Sequence, residues 1–332
     1  MRYLGHLSRK DPLYGYLSDD ILPRLSVHSH SPCFSVYQIQ ASKDVYLYED
    51  KGSGTQLIGK FFNGVKHNAQ EGAAHNMERE FNNLNRLRDI GFTCYPHYIV
   101  SPLGCNASLN CVLVEEFCDG ILLDHFIINA IQEGARESLF LKLTALSYFL
   151  ATMHNRTATG LRVDMSGDCS YFDQIMDQLK NRGYIGWDEA EDFHWLKEQW
   201  RSKEFMWEDN QVLVHGDATP TNILFGDGLS VIAIDLERMK MADRVFDVGR
   251  MAAEIKHFFM QYAGNKWLAE PFIGHFFWEY ACHFPDRYSA FRSIVRRVPF
   301  HMGMTLLRIA RNPWITETYR RQLLDEARET LR

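Results

Sequence analysis

The chain of 332 residues has no long apolar run. None approaches the ~20 residues needed to cross a bilayer as a helix, and the opening MRYLGHLSRKDP lacks the apolar core of a secretion signal. No membrane partner is therefore expected. The seven cysteines form no CxxC pair and no regular spacing, which argues against a disulfide framework or a zinc site and predicts reduced thiols and a cytoplasmic location. There is no internal repeat and no low-complexity tract. Lys and Arg are the minority charges, 36 against 42 Asp and Glu, and no basic stripe stands out, so a nucleic acid partner is not expected. The remainder, 46% hydrophobic and 23% charged, is that of a folded soluble protein long enough for two lobes. Oligomeric state leaves no mark in the composition.

What is present is concentrated in one stretch. Leu213–Glu237 reads LVHGDATPTNILFGDGLSVIAIDLE. Two short apolar runs, Ile223–Phe225 and Val231–Ile234, flank the turn-forming Gly226-Asp227-Gly228 and predict a tight β-hairpin. Folding it back carries Asp235 to the same end as Asp217 and Asn222. A carboxylate to orient a hydroxyl, with hard oxygen donors for magnesium, is what phosphoryl transfer from a nucleotide requires.

HGDxxxxN followed by IDxE resembles the aminoglycoside phosphotransferase and choline kinase superfamily, small-molecule relatives of the protein kinases. The resemblance implies an α+β, two-lobed, protein-kinase-like fold: an N-terminal antiparallel sheet with one helix, then a larger, mostly helical lobe. It implies Asp217 as catalytic base and Asn222 and Asp235 as Mg2+ ligands. Glu237 is either a further magnesium ligand or a cap for its turn. The usual run is nearer HGDLHPGN, and Thr219 stands here where His is common, which removes neither base nor ligand.

The upstream lobe is read over residues 1–118. Cys33–Gln40, Val45–Asp50 and Leu57–Phe62 are rich in Val, Ile, Tyr and Phe and predict three antiparallel strands. Lys60 lies in the third, flanked by apolar residues, and a buried lysine is costly unless it meets negative charge. In the family that charge is the nucleotide phosphate, with a helix glutamate as second partner. The helix predicted over Asn76–Ile90, with Phe81, Leu84, Leu87 and Ile90 as its stripe, offers Glu78 and Glu80, of which Glu80 fits the family pattern better. Ser42, in the turn Ala41–Asp44, either offers its hydroxyl and backbone to the phosphates or is an ordinary turn residue. Cys111–Phe117 resembles the strand leading to the hinge between kinase lobes, which places Glu116 to Cys118 beside the adenine. Residues 1–30 are an extension, either part of the lobe or a dimer contact.

From residue 119 to 332 the pattern turns helical. Ser138–His154 is the apolar spine, with His154 a packing histidine, and Asp247 either caps the helix predicted over Val248–Phe259 or braces the catalytic loop. A further helix is predicted over Ile315–Leu331. Only eleven residues separate Asp235 from Asp247, too few for the peptide-binding segment of a protein kinase. The resemblance therefore implies transfer of the γ-phosphate of ATP, or GTP, to a hydroxyl of a small acceptor. Between spine and catalytic loop, the insert Leu161–Asn210 carries twelve acidic against six basic residues and four of the seven tryptophans. Acids with aromatic faces suit an amine-bearing acceptor of the aminoglycoside, choline or amino-alcohol kind. A neutral sugar or nucleoside acceptor, and a catalytically inactive binding protein on the same fold, are the alternatives; the retained Lys60, Asp217, Asn222 and Asp235 weigh against the last.

Overall fold

A six-stranded antiparallel sheet runs in the order β1-β2-β3-β4-β8-β7, from Arg2–His6 (β1), Phe34–Ile39 (β2), Asp44–Asp50 (β3), Gln56–Phe61 (β4), Pro102–Asn106 (β7) and Val112–Glu116 (β8). Two shorter strands, Thr93–Cys94 (β5) and His97–Ile99 (β6), pair with each other. These belong to the first of two compact units in the computed structural model, Met1–Gly120 with Ile232–Glu237; the second is Ile121–Val231 with Arg238–Arg332. Residues 1–27, 31–39, 44–62 and 70–332 are described.

The three strands expected from the sequence are present within a residue at each end, and two edge strands add to them. β1 is almost wholly exposed and β7 carries Pro102 and Gly104, so neither shows the alternation of a half-buried strand. The early chain is part of this lobe. After β1 come the short helix Pro12–Gly15 (α1) and further helical turns to Leu25, whose Leu13, Leu17, Ile21 and Leu22 join Phe34, Tyr48, Leu57, Val112 and Val114 in one core. The approach is close. A Cβ on Gly104 would lie 2.5 Å from the Tyr16 hydroxyl and 2.8 Å from Ile21.

Alternation assigns the sheet's other face. Leu57 turns to the extension, so Lys60 turns away from it, as do its cross-strand partner Leu113 and, two residues on, Glu115. Against that face lies the helix Gln70–Asp89 (α2), six residues longer at its start than the sequence stripe indicated. Its buried positions Ala73, Met77, Glu80, Leu84 and Leu87 recur at spacings of four and three. Glu80 therefore sits in the buried stripe while Glu78 is exposed.

The second unit holds a strand Ile121–Leu122 (β9), then Leu123–Gln132 (α3), the spine Arg136–Arg156 (α4), and the insert helices Ser166–Asn181 (α5) and Trp187–Arg201 (α6). Next come the strands Val212–Val214 (β10) and Ile223–Phe225 (β11), the latter pairing with β9. After Val231–Ala233 (β12), of which Ile232 and Ala233 belong to the first unit, the second unit resumes with Lys240–Ala242 (β13). The helices Val245–Phe258 (α7), Glu270–Ala281 (α8), Arg287–Ala310 (α9) and Glu317–Leu331 (α10) complete the chain. β10 pairs antiparallel with β13, which fixes both ends of the segment between His215 and Met239. Among the described residues no helix is long and apolar enough to cross a membrane.

Leu17 is fully buried, whereas Leu4 is 47% exposed. Leu17→Ala should destabilise the protein by about 3 kcal/mol, within the range for a buried Leu→Ala change, and Leu4→Ala by less than ~0.5 kcal/mol. Urea unfolding of the two variants measures the contrast; equal, small effects would mean that the extension is not part of the core.

Candidate functional site

Burying Lys60 requires acceptors for its ammonium, and the fold supplies two. Its Nζ lies 2.7 Å from Glu80 Oε1 and 3.1 Å from Glu115 Oε1, all three side chains being almost fully buried. Of the two helix candidates it is thus Glu80 that reaches the lysine. Burial alone would pull the Lys60 pKa down; Glu115, Glu80 and Asp235 outweigh it and hold the ammonium above its ordinary value. Burial in turn pushes the Glu115 carboxyl up to about 7, against the pull of Lys60. Glu115 was not singled out in the sequence. Strand register is the signal that would have found it, because it falls on the Lys60 face and Glu116 does not.

The segment Ile232–Glu237 is tied to the same unit. Val100 donates from its backbone to the Ala233 carbonyl, and Asn83 Nδ2 of α2 donates to the Leu236 carbonyl at 2.7 Å. Asp235 has φ of 62°, a left-handed conformation that a non-glycine residue adopts at a cost of about 1 kcal/mol or more. One carboxylate oxygen from each of Glu80, Asp235 and Glu237 lies within 4.8 Å of the others. Hard carboxylate oxygens this close fit a magnesium ion, for which Asp235 and Glu237 are the better donors because Glu80 is engaged with Lys60.

The remaining nucleotide-side expectations fare differently. The Glu116 carboxylate accepts from the Tyr98 hydroxyl and the Ser101 amide, both at 2.6 Å, and so braces the end of β8. The Cys118 thiol is half-buried and pushed up to about 12 by burial and then by Glu116 and Glu115, which keeps it protonated. Ser42 lies outside the described residues.

In the second unit, β10 delivers His215-Gly216-Asp217 into a loop held by one carboxylate. Asp247, on the first turn of α7, accepts from the His215 amide at 2.7 Å and the Gly216 amide at 3.0 Å. It braces the loop rather than capping the helix. His154 Nε2 lies 3.2 Å from the same carboxylate and Nδ1 lies 2.7 Å from the Tyr280 hydroxyl, contacts that a neutral ring with its proton on Nε2 satisfies together. Burial depresses the His154 pKa, consistent with that neutral form. Gly216 has φ of 80°, and a Cβ there would lie 2.0 Å from the Arg238 carbonyl oxygen. No other residue fits.

Asp217 itself is 15% exposed at its side chain and surrounded by guanidinium groups. Arg250 Nη1 lies 2.7 Å from Oδ1, Arg308 Nη1 3.7 Å from Oδ1 and Arg238 Nε 3.7 Å from Oδ2. Burial acts to raise its pKa, but Arg308, Arg250 and Arg238 override it and hold the carboxyl below its ordinary value. Asn222 Nδ2 donates to the Asp217 carbonyl at 2.9 Å, which commits the amide nitrogen and leaves its oxygen as the atom to offer a cation. The arginines come from α7, α9 and the segment before β13, and no motif in the sequence marks them.

Part of the insert's negative charge is engaged within its own unit. Asp168 meets Lys240, Asp173 meets Lys197, Glu189 meets Arg321 and Arg328, and Asp209 meets Arg244 and Arg297. Trp200 is core, its indole donating to the Leu331 carbonyl, whereas Trp187 and Trp195 face solvent.

Asp247→Ala leaves two buried backbone N–H groups and His154 without their acceptor, a loss of about 3 kcal/mol. The folded-state pKa of Asp247 is depressed: burial, which would raise it, is overcome by hydrogen bonds from His154 and the His215 amide. Its contribution is therefore fully present above the unfolded value of about 3.9 and is lost as pH falls through the folded one. Chemical unfolding should show a constant gap between parent and variant from pH 6 to 8, narrowing only on the acid side of about pH 4. A gap that closes near neutrality would contradict the assigned brace.

Comparison with known proteins gives the fold and the family. A search of curated proteins gives no match. Similar solved structures include a Plasmodium vivax ethanolamine kinase, 14% identical with a TM-score of 0.62 over 98% of this chain and 88% of that one. Another is the amicoumacin kinase hAmiN in complex with AMP-PNP, Ca2+ and Ami, 15% identical with a TM-score of 0.59 over 89% and 87% of the two chains. A third is a streptomycin-ATP-APH(2")-IIa ternary complex, 12% identical with a TM-score of 0.54 over 98% and 99%. At these identities they establish the fold, which is that of the small-molecule kinases. The profile described as "Phosphotransferase enzyme family" matches residues 35–282, three quarters of the sequence, and the chain belongs to that family.

Proposed function

We propose that the protein is a magnesium-dependent kinase that transfers the γ-phosphate of ATP to a hydroxyl of a small acceptor. The observation that carries the reading is the buried Lys60–Glu80 pair, set in the same unit as the Asp235 and Glu237 carboxylates. A lysine held extended by a glutamate is prepared to meet phosphate oxygens. ATP as donor is supported by the similar structures whose titles name ATP or AMP-PNP.

In this reading Lys60 orients the donor's phosphates, and Asp235, Glu237 and Asn222 would hold magnesium, which neutralises charge on the transferring group when bound. Asp217 orients the acceptor hydroxyl and takes its proton. Its pKa lies below the ordinary carboxylate value, so it is ionised throughout the neutral range, and its basicity is modest. That suits a loose transition state, where the proton moves late and positioning dominates. The short link from Asp235 to the start of α7 supports a small acceptor over a peptide.

Asp217→Asn should bind magnesium-ATP nearly as well as the parent while turnover, or slow ATP hydrolysis if no acceptor is in hand, falls at least ~100-fold. Lys60→Ala should instead weaken nucleotide binding. Titration calorimetry and ADP release, with melting curves to confirm folding, read both. Full turnover in folded Asp217→Asn would rule out the mechanism.

A further inference from the structure

On β3, Asp44, Tyr46 and Tyr48 alternate onto one face of the sheet, the face that Leu57 shares and Lys60 does not. Their cross-strand partners on β4 are Phe61, Gly59 and Leu57. Gly59 is the short position in that row. A Cβ there would lie 2.8 Å from Tyr48 Cε2, so the Tyr48 ring occupies the room that the missing side chain leaves. Asp11 to Leu13 of the extension and Ser108 to Asn110, between β7 and β8, complete the walls of a cavity of about 590 Å³ within the first unit. That is the size of a small-molecule pocket.

The lining is aromatic and acidic. The Tyr46 ring meets Phe61 edge-on, at 77° with 5.6 Å between centroids, and is tilted 47° from the Tyr48 ring at 6.5 Å, so the three rings stand at angles instead of stacking. Asp11 commits Oδ1 to the Leu13 amide, while Asp44 is exposed at the start of its strand, and neither is ion-paired among the described residues. None of the described lining residues is basic. Tyr48 is only 4% exposed, yet its hydroxyl has no hydrogen-bond partner among the described residues. A buried hydroxyl is normally paired, and this one is left to whatever fills the cavity. Burial first, and then Tyr46 and Asp11, push the phenol above its ordinary pKa, so the groups around its oxygen oppose negative charge there and favour positive charge.

We infer that this cavity is a binding site for a small primary ammonium, whose N–H groups meet the Tyr48 oxygen and the Asp11 and Asp44 carboxylates and whose alkyl part lies against Tyr46 and Phe61. Each part of the ligand has its counterpart in the walls. An ammonium carries donors for an unpaired phenol oxygen, a charge for the two acids, and a surface that angled aromatic rings attract through their faces. A neutral alkyl group would leave the carboxylates unanswered, and an anion would be repelled by them. The inference is independent of the kinase reading, because the cavity opens on the face of the sheet opposite Lys60.

The test titrates n-butylammonium, and separately its neutral counterpart 1-butanol, into the full chain at constant ionic strength, with binding read from the ligand's NMR signals. The expected result is saturable butylammonium binding, with 1-butanol at least ~10-fold weaker. Tyr48→Phe keeps the ring and removes only a hydroxyl that bonds nothing in the protein, so it should fold as the parent does and weaken ammonium binding at least ~5-fold. The double variant Asp11→Asn, Asp44→Asn, in which the asparagine at 11 can still cap its helix, should weaken it at least ~10-fold. Melting curves confirm folding of both. No saturable binding in the parent overturns the proposal, and so does 1-butanol binding as tightly as the ammonium, which would make the cavity merely apolar. Binding unchanged in both variants places the cation elsewhere on the protein and also overturns it.

Discussion

A charged group inside a protein must be met by another, and this constraint organises both halves of the chemistry. Lys60 lies on the face of β4 turned away from the N-terminal core, and its ammonium is stable there only because Glu80 from α2 and Glu115 from β8 converge on it. The helix must therefore be docked in register for the lysine to be held. The lysine in turn fixes which positions of α2 face inward. The extension Met1–Leu25 contributes from the other side: by covering Leu57, Val112 and Val114 it leaves the Lys60 face as the one against which α2 packs.

The second unit applies the same rule with the signs exchanged. Asp247 is a buried carboxylate that takes its hydrogen bonds from the His215 and Gly216 amides, and this sets the loop that carries Asp217. The left-handed Gly216 and its contact with the Arg238 carbonyl leave the loop one path. Asp217 is thereby presented to Arg250 and Arg308, which lower its basicity but hold its oxygens in place. An acid so placed serves as an orienting group more than as a strong base, in keeping with a reaction whose barrier is lowered chiefly by position and charge.

How much of this was legible beforehand depends on the range over which each signal acts. Local enrichment in β-branched and aromatic residues gave β2, β3 and β4, a resemblance gave β8, and the run from His215 to Asp235 carried its chemistry in adjacent residues. Lys60 was visible as a charge in an apolar strand. Glu115 needed the cross-strand register, which a single strand does not display. Arg250 and Arg308 lie 33 and 91 residues beyond Asp217, and only the packing of α7 on α9 brings them to it. Edge strands β1 and β7 lack an apolar face pattern: β1 is almost wholly exposed, and β7 buries only Leu103 and Gly104. The acids of the insert show a related limit: composition records their charge but not their partners.

The central claim, that the Asp235 segment binds a nucleotide through magnesium, is most directly tested by measuring ATP affinity with magnesium and with EDTA in the parent and in Asp235→Ala. The account predicts that magnesium tightens binding at least ~10-fold in the parent and that this gain largely disappears in the variant, since a charged ligand to the metal is worth more than one such factor. Equal magnesium dependence in the two proteins would contradict it.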